Sequence, residues 1–140
     1  MKILLSDGTY KNTLAITQNM GRLGNQVGVL GDSNQTVLSW LSKHCLFNEH
    51  INSSASDEEY LSSLVNILQN RSYDRYIPVG YNSCRIASKY KKIVSKYTEL
   101  TISDYNAFCR AENKYLSTRL CDQLHIPHPH TYLIKTEKDL

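Results

Sequence analysis

The sequence predicts a three-layer α/β domain. A mostly parallel sheet of about five strands carries helices on both faces, and a linking helix and one further strand follow. Three observations predict this. The first thirty residues read strand, helix, strand. Short apolar runs keep alternating with segments of helical period to about residue 102, which is the pattern of a parallel sheet with right-handed crossovers. After Ser103 the alternation stops, and two helical stretches follow one another with no strand between them.

Each element has its own signal. Lys2 to Ser6 is an apolar run ending at Asp7-Gly8, a strand followed by a turn. From Thr13 the period becomes helical, with Ile16, Met20 and Leu23 at i, i+4 and i+7. Gly24 then takes the place of a C′ glycine. "QVGVLG" is a second buried strand. "QTVLSWLSK" predicts a weaker helix with Val37, Leu38 and Leu41 inward, and "HCLFNE" a third strand. Ser56 and Glu59 form a capping box ahead of Leu61, Leu64, Val65 and Leu68, which line one face of a helix. "YDRYIPVG" supplies a fourth strand with Pro78 near its end, where a missing N–H does least harm. The helix rich in lysines follows, and "TELTI" reads as a fifth strand at the sheet edge.

The boundary is placed near residue 111, giving a domain over 1–111 and a linking segment over 112–140. Leu116, Leu120 and Leu124 make the second helix of the late region amphipathic. Pro127 ends it, since proline cannot continue a helix. "TYLIK", Thr131 to Lys135, predicts a strand. Thr136 then stands as a cap three residues before Asp139, the opening of a helix.

Composition narrows the function classes. The chain has 140 residues, 41% of them hydrophobic and 21% charged, which is ordinary for one globular domain. No run of about 18 apolar residues is present, so a membrane helix is not expected. The N-terminal apolar stretch is too short for a signal peptide and reads as the first strand. Cys45, Cys84, Cys109 and Cys121 fit neither a zinc ribbon nor a disulfide framework, and free thiols in a reducing cytoplasm are expected. A net charge of +3 is too mild to imply nucleic acid. Lys89, Lys91, Lys92 and Lys96 alternate with Ile86, Tyr90, Ile93, Val94 and Tyr97, the pattern of a solvated helix face.

In an open parallel sheet, ligands bind beyond the carboxyl ends of the strands. The turns there are Ser6-Asp7-Gly8-Thr9, Gly31-Asp32-Ser33 and Gly80-Tyr81-Asn82-Ser83. Gly8 before a helix, with Asp32 ending the second strand, leaves a dinucleotide site open. However, Tyr10 and Thr13 replace the further glycines of G-x-G-x-x-G. Alternatively, Gly8 relieves a tight turn and Asp7 hydrogen-bonds the loop. A phosphoacceptor role for Asp7 is disfavoured, since the third strand, "HCLFNE", offers no Asp at its end. His125, His128 and His130 share one loop, which suggests either a metal site without an evident fourth ligand or a structural turn stiffened by Pro127 and Pro129. No Ser-His-Asp or Cys-His pair can be assigned, so no catalytic residue and no metal ligand is named.

Taken together, the chain resembles the amino-terminal region of ATP-grasp enzymes, among them biotin carboxylase and the large subunit of carbamoyl phosphate synthase. "ILLSDGTYKNTLAITQNMGRLGNQVGVLGDS" is similar to that family's opening strand, glycine turn, helix and second strand. "RYIPVGYNSCRIASKY" is similar to its later strand and helix. "ENKYLSTRLCDQLHIPHPHTYLI" is similar to its "DK" helix, "gIPxPxT" and following strand. The resemblance implies a Rossmann-like preATP-grasp domain over 1–111. It also implies that 112–140 lead toward an ATP-grasp domain lying outside this sequence.

For the parent enzyme the resemblance implies ATP and Mg²⁺, a carboxylate or bicarbonate activated as an acyl phosphate, and attack by a nitrogen nucleophile. It places Lys114 at the family's phosphate-contacting lysine, with Asn113 where the family has Asp. By analogy, Asp7, Gly8 and Thr9 border the substrate. The sequence alone is then expected to be inactive and cytoplasmic, with no nucleic acid or membrane partner and no bound cofactor. Two rivals stay open. One is a stand-alone nucleotide-binding module. The other is an interaction unit, a homodimer for instance, using Tyr132 to Ile134.

Overall fold

A computed structural model of the chain describes residues 1–136. The helix expected to open at Thr136 falls on residues 137–140, outside the described residues. Contacts divide the chain into two units, Met1–Ile102 and Ser103–Leu140. The unit that carries the sheet therefore ends where strand–helix alternation ends, ahead of the boundary read near residue 111.

In the first unit the elements run β1 (Lys2–Leu5), α1 (Lys11–Arg22), β2 (Gln26–Gly31), β3 (Cys45–His50), α2 (Asp57–Arg71), β4 (Arg75–Ile77), α3 (Tyr81–Lys89), α4 (Lys91–Val94) and β5 (Glu99–Leu100). All five strands pair in parallel, in the order β3-β2-β1-β4-β5. The Rossmann-like fold expected from the sequence is what the chain adopts. β1 lies at the centre, and the order reverses between β1 and its neighbours β2 and β4, which marks the switch point of the sheet.

The pleat sends successive side chains of β1 to opposite faces. Ile3 and Leu5 pack with Val27, Val29, Ile16, Met20 and Trp40 on the α1 side. Leu4 joins Leu30, Leu64, Leu68, Ile86 and Val94 on the side of α2 and α3. Both faces of the strand are thus apolar and covered, which is why it reads as a continuous run rather than an alternating one. Gly28 is where the backbone must be bare. A Cβ there would lie 2.1 Å from Tyr73 Oη, which crosses the strand to donate to Glu49 Oε1 at 2.6 Å.

The chain ends of the helices follow the sequence signals closely. Gly24 has φ +80° just after α1, the left-handed C′ position that glycine tolerates best. Ser56 and Glu59 cap α2 reciprocally. Leu23, expected inward, is instead 70% exposed, because it is the C-cap residue where the chain leaves the helix.

Three expected elements differ. The helix over "QTVLSWLSK" shrinks to one 3-10 turn, Leu38–Leu41, with Leu41 exposed. Anchors flank and interrupt it: Val37 fills the space that Gly8 and Gly31 leave, and Trp40 Nε1 donates to Val29 O at 3.0 Å. The lysine-rich helix breaks at Tyr90 into α3 and α4. "TYLIK" forms no strand. Extended backbone becomes a strand only by pairing, and Tyr132, Leu133 and Ile134 are exposed with no ladder among the described residues.

The second unit holds α5 (Tyr105–Glu112) and α6 (Lys114–Gln123). Asp104 caps α5 by accepting from Ala107 N at 3.0 Å, and Asn113 caps α6 by accepting from Leu116 N at 3.0 Å. Neither helix contains a buried residue.

Candidate functional site

The carboxyl ends of β1, β2 and β4 open into a cavity of about 470 Å³ in the first unit. The helices that follow start at its rim, so strand ends, turns and the first turns of α2 and α3 line it. Asp7, Gly8 and Thr9, expected at a substrate-side loop, are all in its wall. Lys114 belongs to the second unit, where it opens α6 with an exposed side chain.

Asp7 ties two of the cavity's turns together. Its φ is +57°, a left-handed conformation that aspartate tolerates better than most residues. Its Oδ2 accepts from Gly80 N at 2.7 Å and from Ser83 Oγ at 2.5 Å, and Ser6 Oγ lies against the same oxygen. Val79 N donates to Ser6 Oγ at 2.9 Å, so the β1 and β4 turns are tied by one polar network. Gly80 is the N-cap of α3, and Asp7 thereby places a carboxylate on that helix's positive end. A Cβ at Gly80 would lie 2.6 Å from the Asp7 carboxyl carbon, so this approach needs glycine.

Asp32 does a different job. Its Oδ1 accepts from Asn34 N at 2.9 Å; its Oδ2 accepts from Ser53 N at 3.0 Å and Ser53 Oγ at 2.7 Å. The Ser53 hydroxyl first, and then the two amides, hold this carboxyl down at about 2. Oδ1 holds Asp32's own turn after β2 and Oδ2 pins the β3–α2 loop, so both oxygens are already engaged by protein. Gly8 likewise makes room for protein. A Cβ there would meet Val37 Cγ1 at 2.5 Å and Val29 Cγ1 at 2.7 Å. The two residues that kept a dinucleotide site open are thus both accounted for by packing.

Asp57 closes the far wall. Arg85 grips it with two bonds of 2.9 and 2.5 Å, and Lys89 adds a third at 2.8 Å. These donors, Arg85 foremost, hold the Asp57 carboxyl well below the usual carboxylate range. Sequence reasoning had Asp57 only as part of a helix start. Arg85 and Lys89 stand four apart on one helix face, and that spacing was the available signal for a shared carboxylate partner. Tyr81 and Ser83, from the third turn expected at the strand ends, line the cavity, and Tyr60 joins them without any motif to announce it.

The histidine loop resolves as a turn. His128 Nε2 lies 2.9 Å from Asp122 Oδ1 and Nδ1 lies 2.9 Å from Pro129 O, and these acceptors, the carbonyl first, raise its pKa. Among the described residues no three His, Cys, Asp or Glu side chains gather as a metal site. The four cysteines are free, and no described helix is long and apolar enough to cross a membrane.

A central β1, an all-parallel sheet and a cavity at the switch point define a Rossmann-like α/β domain. The particular likeness is to the biotin carboxylase domain of a single-chain bacterial carboxylase. The two superpose with a TM-score of 0.65 over 91% of this chain, at 13% identity. The match spans 30% of the carboxylase chain's own length. At that identity the likeness shows the shared fold, which is the fold expected for an ATP-grasp amino-terminal domain. No protein-family model and no curated protein matches the sequence.

Proposed function

We propose that this chain is the amino-terminal domain of an ATP-grasp ligase. The parent enzyme activates a carboxylate or bicarbonate as an acyl phosphate, which a nitrogen nucleophile then attacks. The observation that carries the reading is the fold shared with a biotin carboxylase domain across 91% of the chain. Supporting it, the second helix after the sheet, α6, is a capped helix whose first residue is Lys114, and Asn113 supplies the cap where the family's pattern has Asp.

In this reading ATP and Mg²⁺ belong to a following domain, and Lys114 reaches toward phosphate from the linking helix as a mobile point charge. The domain here contributes scaffold and one wall of the substrate site through Asp7, Gly8 and Thr9. The protein works in the cytoplasm, with a small carboxylate as its substrate.

Thermal-shift screening of the chain with ATP–Mg²⁺ and with NAD tests this. A ligand present at a hundred times its Kd adds roughly 2.7 kcal/mol, which moves a domain of this size by several degrees. No shift with either nucleotide is expected from the isolated chain. A clear shift with NAD favours a dinucleotide module and overturns the proposal. The positive arm uses the chain joined to a domain carrying the phosphate-binding lysines and Mg²⁺-binding carboxylates. That protein is expected to release phosphate from ATP only with its carboxylate substrate present, and Lys114→Ala to raise KM for ATP about tenfold.

A further inference from the structure

A second, smaller hollow of about 230 Å³ lies at the carboxyl ends of β2 and β3, with Ser33, Asn34, His50 and Asn52 in its lining. Ser33 Oγ lies 2.6 Å from His50 Nδ1 there. No local motif pairs these two residues; strand register does. Gly31 ends β2 and lies opposite His50, which ends β3, so Ser33, two residues farther on, reaches the imidazole.

The pair is held on both sides. Asp32 Oδ1 accepts from Asn34 N, one residue past Ser33, and its Oδ2 accepts from Ser53 N and Oγ, three residues past His50. One carboxylate therefore fixes both arms of the hollow. Trp40 packs edge-on against the His50 ring, with centroids 4.8 Å apart, and is itself anchored through Nε1 on Val29 O at 3.0 Å. Ser33 and His50 are nonetheless exposed, so a solute can reach them. His50 Nε2 has no hydrogen-bond partner among the described residues. With the proton on Nε2, Nδ1 is an acceptor for the Ser33 hydroxyl.

A hydroxyl within hydrogen-bond reach of an imidazole, whose ring is oriented by a third group, is the arrangement that activates a serine nucleophile. A further group suits acyl chemistry. Asn52 Oδ1 accepts from Ser54 N at 2.9 Å, and its amide NH₂ has no partner among the described residues. An asparagine amide is a known type of donor to the oxyanion of acyl transfer. The hollow is small, and Ile51 is its one apolar lining residue, which fits a short acyl group rather than a long chain.

We propose that Ser33 and His50 form a nucleophilic dyad that takes the acyl group of a small activated ester, with Asn52 donating to the oxyanion. Ser33 Oγ bonds to the acyl carbon while its proton passes to His50 Nδ1. The ester C–O bond then breaks, and the leaving oxygen takes that proton. Water repeats the sequence on the acyl-serine, releasing the carboxylic acid and restoring the hydroxyl. The site goes beyond the ligase reading and uses none of Asp7, Gly8, Thr9 or Lys114, so the two proposals fail separately.

The test is p-nitrophenyl acetate added to the full chain, with nitrophenolate release followed by absorbance and the acetyl group located by peptide mass mapping. A burst of nitrophenolate stoichiometric with protein is expected, with the acetyl group on Ser33. Ser33→Ala is expected to abolish the burst. His50→Gln is expected to slow acylation roughly a hundredfold or more and to flatten a rate that in the parent chain rises with pH and then levels. Asn52→Ala is expected to slow it at least about tenfold. A dispersed NMR spectrum checks that each variant folds; if His50→Gln does not, Ser33→Ala and the location of the acetyl group decide. Acetyl on lysines, tyrosines or His50 in place of Ser33, an unchanged burst in Ser33→Ala, or a parent rate in folded His50→Gln overturns the proposal.

Discussion

The two units of this chain carry the same kind of helical pattern and end up differently. In the first unit, Leu64 and Leu68 of α2 recur four apart and are buried to 0% and 1% exposure against the sheet. In the second, Leu116, Leu120 and Leu124 recur at the same spacing and stay 44%, 39% and 58% exposed. Amphipathic periodicity states that a face is available. Whether it is buried depends on a partner surface, and a sheet supplies one that two short helices do not. Capping is equally good in both: Ser56–Glu59 for α2, Asp104 for α5, Asn113 for α6. Local signals thus form the helices, while packing decides which of them are tied down.

The comparison is sharpened most by truncating one leucine in each unit. Leu64→Ala leaves a cavity in a closed core and is expected to cost about 2–5 kcal/mol in urea denaturation. Leu120→Ala removes an already wet side chain and is expected to cost about 0.5 kcal/mol or less. Equal effects would break the contrast.

A smaller effect is expected where glycine admits a neighbour. Gly8→Ala drives a methyl against Val37 and Val29, with a backbone carbonyl, Leu30 O, at 3.1 Å behind them. Overpacking of that kind costs about 1–3 kcal/mol. Gly24→Ala meets no atoms within 4 Å, so the strain of φ +80° is its whole penalty, about 1–2 kcal/mol. A calorimetric melt ranks the pair.

Ser56→Ala removes the hydroxyl half of the α2 capping box and is expected to cost about 1 kcal/mol. Asn113→Ala does the same to α6. It is expected to lower the helicity of the second unit, leaving the urea midpoint of the first unit in place.

The units also separate by pH. Asp32 and Asp57 have carboxyls lowered on folding, so their stabilisation is complete above the unfolded value, about 3.9, and fades as pH falls below it. For Asp32 the loss runs from about pH 4 to about 2. His128 has the opposite sign. Its pKa is raised on folding, so its contribution is complete below the ordinary histidine value of about 6.5 and is lost as pH rises through the raised one. Acid is therefore expected to loosen the β3–α2 loop first, while mild base frees the His128 turn. Amide chemical shifts at Ser53 and at His128 across pH 2–9 check both directions.

Much of this was legible beforehand, for reasons tied to range. β1, β2 and β3, the Ser56 box, the Gly24 stop and the edge position of β5 are written in short stretches, and each formed where read. The failures needed distant partners. Leu41 and Leu23 look inward by spacing, but the anchoring of Val37 and Trp40 and the exit at a helix cap turn them out. "TYLIK" has strand composition, yet a ladder depends on a neighbouring edge. At the cavity, Asp7, Gly8 and Thr9 were visible because they follow the first strand. Tyr60, from the first turn of α2, was not, because nothing in its local sequence marks it until the fold brings it to the same cavity as Asp7.

Native-state hydrogen exchange on the full chain tests the division most directly. Amides of Leu4, Leu5, Val27 and Val29 are expected to exchange only through global unfolding, and those of Leu116 to Leu120 orders of magnitude faster. Protection in α6 equal to that of the central strands would contradict a core confined to the sheet-bearing unit.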